Sequence, residues 1–202
     1  MGISWKIFCL IIACVINHSN AALYRTIELR SGAFVPVTDI FRDIHGDAGV
    51  FIGAQAGGAI RELRENIGLE VWGDFDWFDK RGFSIGFCSP TRVQIANFST
   101  GVNFTFACSH DRILLYTGLG PCIGGVWVQD ETIGPECRCV KNGYIAGGFV
   151  LKTGFYAFPK YYDESIFVKF FADLVVEWAH FCTPFTHQVG GLQLGIAAGI
   201  RY

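Results

Sequence analysis

The sequence predicts an all-β fold, an eight-stranded antiparallel transmembrane β-barrel with its apolar side turned to lipid. Three observations carry that reading. The composition is membrane-like, with 51% hydrophobic, 15% aromatic and only 17% charged residues. Yet beyond residue 21 no uncharged apolar stretch approaches the roughly 18 residues of a membrane helix. A closed barrel is the other structure that satisfies every backbone group inside a bilayer. Finally, the chain alternates apolar and polar residues with period two, segment after segment, between polar turns.

Residues 1–21 read as a signal peptide. Lys6 gives a positive start, an apolar run follows from Ile7 to Ile16, and Ser19 and Ala21 supply small residues at −3 and −1 of a cleavage site. The run is about half of what a spanning helix needs. Ile11-Ile12-Ala13-Cys14 loosely matches a lipoprotein box, but the apolar run continues past Cys14. The expected mature domain is 22–202.

Taking the strands in order, Ile27, Leu29 and Ala33 alternate with Glu28, Arg30 and Gly32. The second covers about 48–59, with Val50, Ile52, Ala54 and Ala56 opposite Gly53, Gln55 and Gly57. In 69–78, Leu69, Val71, Phe75 and Trp77 oppose Glu70, Asp74 and Asp76. The fourth, about 93–107, sets Phe98, Val102, Phe104 and Phe106 against Asn97, Ser99, Gly101 and Asn103. The fifth, about 113–127, has no clear facing, because Leu114-Leu115-Tyr116 is apolar on both sides. The sixth, about 144–157, places Phe149, Leu151 and Phe155 opposite Gly148, Lys152 and Gly154. In 166–178 the charges Lys169, Asp173 and Glu177 share one face, and in 192–202 Leu192, Leu194, Ile196, Ala198, Ile200 and Tyr202 share the other.

The odd connections, about 35–47, 79–92, 128–143 and 179–188, are longer than the even ones, about 60–67, 108–112 and 158–164. A barrel with a periplasmic N-terminus has short inner turns and long outer loops. A soluble lipocalin-like barrel shares the same period with the apolar face inside. Against it, the polar face here is rich in Gly and small residues, as a narrow lumen requires, while the apolar face carries many Phe, Trp and Leu. Trp77, Phe78, Phe106, Tyr156, Trp178 and Tyr202 lie at strand ends, where interfacial girdles form.

Leu192 to Tyr202, closing on Gly199-Ile200-Arg201-Tyr202, resembles the C-terminal strand of bacterial outer-membrane barrels. Residues 22–202 are similar in layout to small barrels of the outer-membrane protein A and opacity-protein type. Gly118-Leu119-Gly120-Pro121 resembles a glycine-rich stretch of that group. The resemblance implies a Gram-negative outer-membrane location, contact with outer-membrane lipid, and recognition of Tyr202 as an assembly signal by the barrel-assembly machinery. The cysteines depart from that group and resemble those of cysteine-rich envelope proteins of chlamydia-like bacteria. That second likeness implies partners such as disulfide-linked envelope proteins or a host surface.

If the polar face is luminal, Glu28, Arg30, Glu70, Asp74, Asp76, Lys152, Lys169, Asp173, Glu177 and Arg201 point inward and pair as an ionic core. The alternative is a narrow porin. Asp74 and Asp76 carry no acid–base chemistry in a lumen closed to substrate. A rim enzyme that modifies lipid is the third reading. Loop 179–188 lies beside loop 35–47, bringing His180 and His187 toward Asp39, Asp43, His45 and Asp47, but no serine sits at a partner spacing. No enzyme activity is therefore expected. Cys88, Cys137, Cys139 and Cys182 fall in or near outer loops, where each disulfide would lower open-loop entropy by roughly 2–4 kcal/mol. Cys108 falls in an inner turn, and Cys122 mid-strand reads as a small apolar filler. Cys137-Arg138-Cys139 is too tightly spaced for a zinc knuckle, and no metal or cofactor is expected. A net charge of −2 leaves no basic footprint for nucleic acid. The expected role is structural or surface-interactive, in the manner of an adhesin.

Overall fold

A computed structural model describes residues 24–64, 66–83, 90–108, 112–131, 139–158, 165–180 and 186–202. The strands are β1 (Tyr24–Pro36), β2 (Gly49–Arg64), β3 (Ile67–Phe83), β4 (Pro90–Ala107), β5 (Ile113–Glu131), β6 (Cys139–Ala157), β7 (Ile166–His180), β8 (Thr186–Gln188) and β9 (Gly191–Arg201). A short helix, α1 (Asp39–His45), lies between β1 and β2. Each strand pairs antiparallel with its sequence neighbour, and β9 closes the ring on β1. β8 and β9 are two parts of one barrel strand, because both pair with β7 in a single unbroken register (Trp178 with Gln188, Val175 with Gly191). The barrel therefore has eight strands.

The register fixes the barrel's shape. Partners lead from Tyr24 through Ala59, Glu70, Asn103, Gly118, Lys152, Asp173 and Gln193 back to Phe34, ten positions up the starting strand. Eight strands with that stagger tilt by about 40° to the axis. Every residue on this path faces inward, so one turn of the walk traces the interior wall.

Burial alternates along most of the strand length and settles the facing. In β3, Glu70, Trp72, Asp74, Asp76 and Phe78 are buried. In β5 the inward row is Tyr116, Gly118, Gly120, Cys122, Gly124 and Val126. Leu29, Ile52, Leu119, Ile123, Ile145 and Ile196 on the opposite faces are more than half exposed. A soluble fold would hide that surface; a bilayer covers it. The lipocalin-like alternative, with its apolar face inside, is excluded by this arrangement.

Two expectations need correction. Phe78 and Tyr156 are not girdle residues; both are buried inside the barrel. The outer girdle is Trp77 against Trp127, centroids 6.2 Å apart, and Trp178 against Phe149 at the same separation. The loop asymmetry also shrinks. β3 to β6 run further outward than the periodicity suggested, leaving 84–89, 132–138 and 181–185 as connections no longer than the inner 158–165. Strand formers such as Thr91 and Val128 continue the ladder beyond the expected ends.

The interior also holds more rings than a purely polar lumen: Phe34, Phe51, Trp72, Phe78, Tyr116, Tyr156, Phe167 and Phe171. Glycines make the room. A Cβ on Gly101 would stand 2.6 Å from the Trp72 ring, and one on Gly195 would stand 2.7 Å from Phe171.

Candidate functional site

The charged interior is built by one row per strand. Arg30 from β1 reaches across the barrel and is its hub. Its guanidinium lies 3.0 Å from Asp74, 2.7 Å from Asp173 and 3.2 Å from Asp76. It also donates to Gln55 at 3.4 Å and Gln193 at 3.0 Å. Phe171 and Phe51 flank it, 4.3 and 5.6 Å from ring centroid to guanidinium carbon. A planar fork with several donors suits this multiple recognition, which a lysine could not reproduce.

Lys152 from β6 pairs with Asp74, donates to Gln55 at 2.8 Å, and sits 4.0 Å from the Trp72 ring centre. Ser99 donates to the second oxygen of Asp74. Nearer the periplasmic end, Lys169 pairs with Glu28 at 2.7 Å, with Tyr116 and Tyr156 beside its ammonium. Glu70 accepts from Asn103 and from the Tyr156 hydroxyl, each at 3.1 Å. Nine of the ten residues expected in the lumen are buried, and seven of them join ion pairs; Arg201 is the one that is not buried. Arg201 is only half-buried at the inner mouth, stacked 3.8 Å over Tyr24 and outside the ion-pair network. Glu177 is buried without an ion pair among the described residues, near Asn97 and the Cys122 thiol.

Apolar layers close both ends. Toward the outside, Phe34, Phe78, Val93, Ile95, Val126 and Val189 belong to the buried cluster, with Phe41 of α1 packed on top. Toward the periplasm, Tyr156, Phe167 and Phe158 stack together. An outer void of about 20 Å³ and an inner void of about 10 Å³ lie in the interior. Each holds little more than one water molecule. Sequence reasoning missed Trp72 and the outer aromatic layer. Only the rule that every second residue from Glu70 faces inward could have found Trp72.

At the rim, His45 is buried beneath Phe41, 4.9 Å between ring centres, while Asp39, Asp43 and Asp47 are exposed. The side chains of His180 and His187 lie outside the described residues. Cys88, Cys137 and Cys182 also lie outside them, as does the Cys139 side chain. Cys108 and Cys122 are free thiols. Tyr202 is exposed at 59%, and its backbone exchanges two hydrogen bonds with Arg25.

No family model matches the chain, and no curated protein matches it. Solved structures do. The chain is similar to the outer membrane protein OprG of Pseudomonas aeruginosa, with 10% identity, TM-score 0.53, and coverage of 90% of this chain and 97% of that one. It is also similar to Ail, the attachment invasion locus protein of Yersinia pestis, solved with the heparin analogue sucrose octasulfate. There the identity is 13%, the TM-score 0.51 and the coverage 89% of this chain and 98% of that one. At such identity the likeness concerns the fold, and it agrees with the apolar exterior. The chain has the architecture of the small eight-stranded outer-membrane β-barrels, and its strands cross a bilayer.

Proposed function

We propose that this barrel is a non-conducting outer-membrane protein whose work is done outside the bilayer, by its outer hairpins contacting other envelope components or a host surface. The observation that carries the reading is the closed interior. The Arg30 network joins β1, β2, β3, β7 and β9 across the lumen, between aromatic layers. A passage for solutes through that cross-section has no room. The strands supply the outer surface instead. β3 to β6 have 17 to 19 residues each. Crossing takes about 9–11. Beyond the Trp77–Trp127 pair, Asp79, Arg92 and Gln94 form a polar cluster on the barrel's outside, as expected above the lipid. Phe83, 67% exposed, ends the β3–β4 hairpin arm. The name of the Yersinia neighbour speaks of attachment, which such protruding hairpins suit. Disulfides among the outer cysteines would stiffen them or link neighbouring envelope proteins.

Two measurements test this. In planar bilayers the purified barrel gives no stepwise conductance; steady channels would return the narrow-porin reading. Displayed on a non-adherent Gram-negative host, the chain raises attachment to cultured cells or matrix. Replacing residues 80–92 by a short turn removes that gain while the barrel still inserts. Unchanged attachment in both forms overturns the adhesive role.

A further inference from the structure

The Trp77–Trp127 pair marks the outer border of the lipid belt, and the outward face turns polar just beyond it. Alternation carries the outward row of β3 from Trp77 through Asp79 to Arg81, and that of β4 through Arg92 and Gln94. The register sets Gln94 opposite Asp79, and Arg92 between Arg81 on one side and Gln129 on the other. Lys141 holds the next position of that second row, on β6.

Charge in this patch does not balance. Asp79 is the one carboxylate at these positions, and it is already engaged. Its two oxygens accept from Arg92, with Nε at 2.7 Å, and Gln94 donates to it at 3.1 Å. Arg81 is exposed and makes no hydrogen bond or ion pair among the described residues. Like charges at directly opposed cross-strand positions repel. Setting Arg81 against Arg92 therefore becomes favourable when an anion lies between them. The patch is also local. Near the outer ends of β1 and β2 the exposed outward residues are Val37 and Val50.

We propose that Arg81 and Arg92 hold a phosphate group of an outer-leaflet lipid of the lipid A type against the β3–β4 face. Guanidinium donors match phosphate oxygens in number and direction. Asp79 and Gln94 hold Arg92 in place beforehand, so less side-chain freedom is lost when the anion arrives. Position selects a lipid as the source. Both arginines lie on the outward, lipid-side row, Arg81 four residues beyond Trp77, where the aromatic belt gives way to headgroups. The acyl chains of the same lipid would then run down the apolar wall past Trp77 and Phe75.

The test uses the intact barrel folded into phosphatidylcholine vesicles and follows the midpoint temperature of its boiling-dependent gel shift. Phosphorylated lipid A, the same lipid dephosphorylated, and inorganic phosphate in the buffer are added in parallel. The wild-type midpoint rises by several degrees with phosphorylated lipid A and saturates, as binding to the folded state alone requires. The other two additions leave it in place. Arg81→Gln loses most of the rise, and Arg92→Gln serves as a second variant with the same outcome. Arg61→Gln, which removes an exposed base at the periplasmic end of β2, keeps the rise. An equal rise with dephosphorylated lipid, an equal rise with inorganic phosphate, or an undiminished rise in Arg81→Gln overturns the lipid-phosphate site.

Discussion

Arg30 is the residue on which the interior turns, and removing it is costly for a definite reason. Arg30→Ala leaves Asp74, Asp76 and Asp173 buried around the space of their shared cation. Breaking a buried pair from one side costs about 3–5 kcal/mol. A urea-unfolding series in detergent should show that loss, and Arg30→Lys should recover only part of it, because an ammonium has three donors against the five that Arg30 divides among four other strands. The charged positions were legible in the sequence because an isolated charge every second residue is hard to mistake. Trp72 was not, since it sits beside Val71 and both are apolar. Nor was the outer cap, where Phe34, Phe78, Val93 and Ile95 are as hydrophobic as the lipid-facing row next to them. Period two assigns a face only when the two faces differ in polarity.

Strand ends were harder to read than strands. Within the bilayer the alternation is enforced by lipid on one side and the crowded polar lumen on the other; beyond it, the inner face turns apolar while the outer face becomes partly polar, and the sequence pattern weakens. That is why β3 to β6 run past the expected ends while their existence and order were plain. The belt and the arms should respond oppositely to charge. Leu119→Arg, mid-strand and 61% exposed to lipid, should destabilise the barrel by about 2–4 kcal/mol. Phe83→Arg at the tip of the β3–β4 arm should leave the unfolding midpoint almost unchanged. A comparable loss at both positions would place the membrane boundary further out than the Trp77–Trp127 pair.

At the scale of the molecule, an apolar exterior and an ionic interior are one design: the bilayer covers the first, and the narrow, strongly staggered ring encloses the second. Eight strands around a ten-residue stagger leave space for side chains and hardly any for water, so the interior serves stability. Such a closed ring unfolds slowly, because no strand can leave without breaking two ladders and exposing buried charge. The most direct test runs the membrane fraction on a detergent gel, unboiled and boiled. The account predicts a folded band in the membrane fraction that changes mobility only on boiling. A protein found in the soluble fraction, migrating identically before and after boiling, would contradict the lipid-facing barrel.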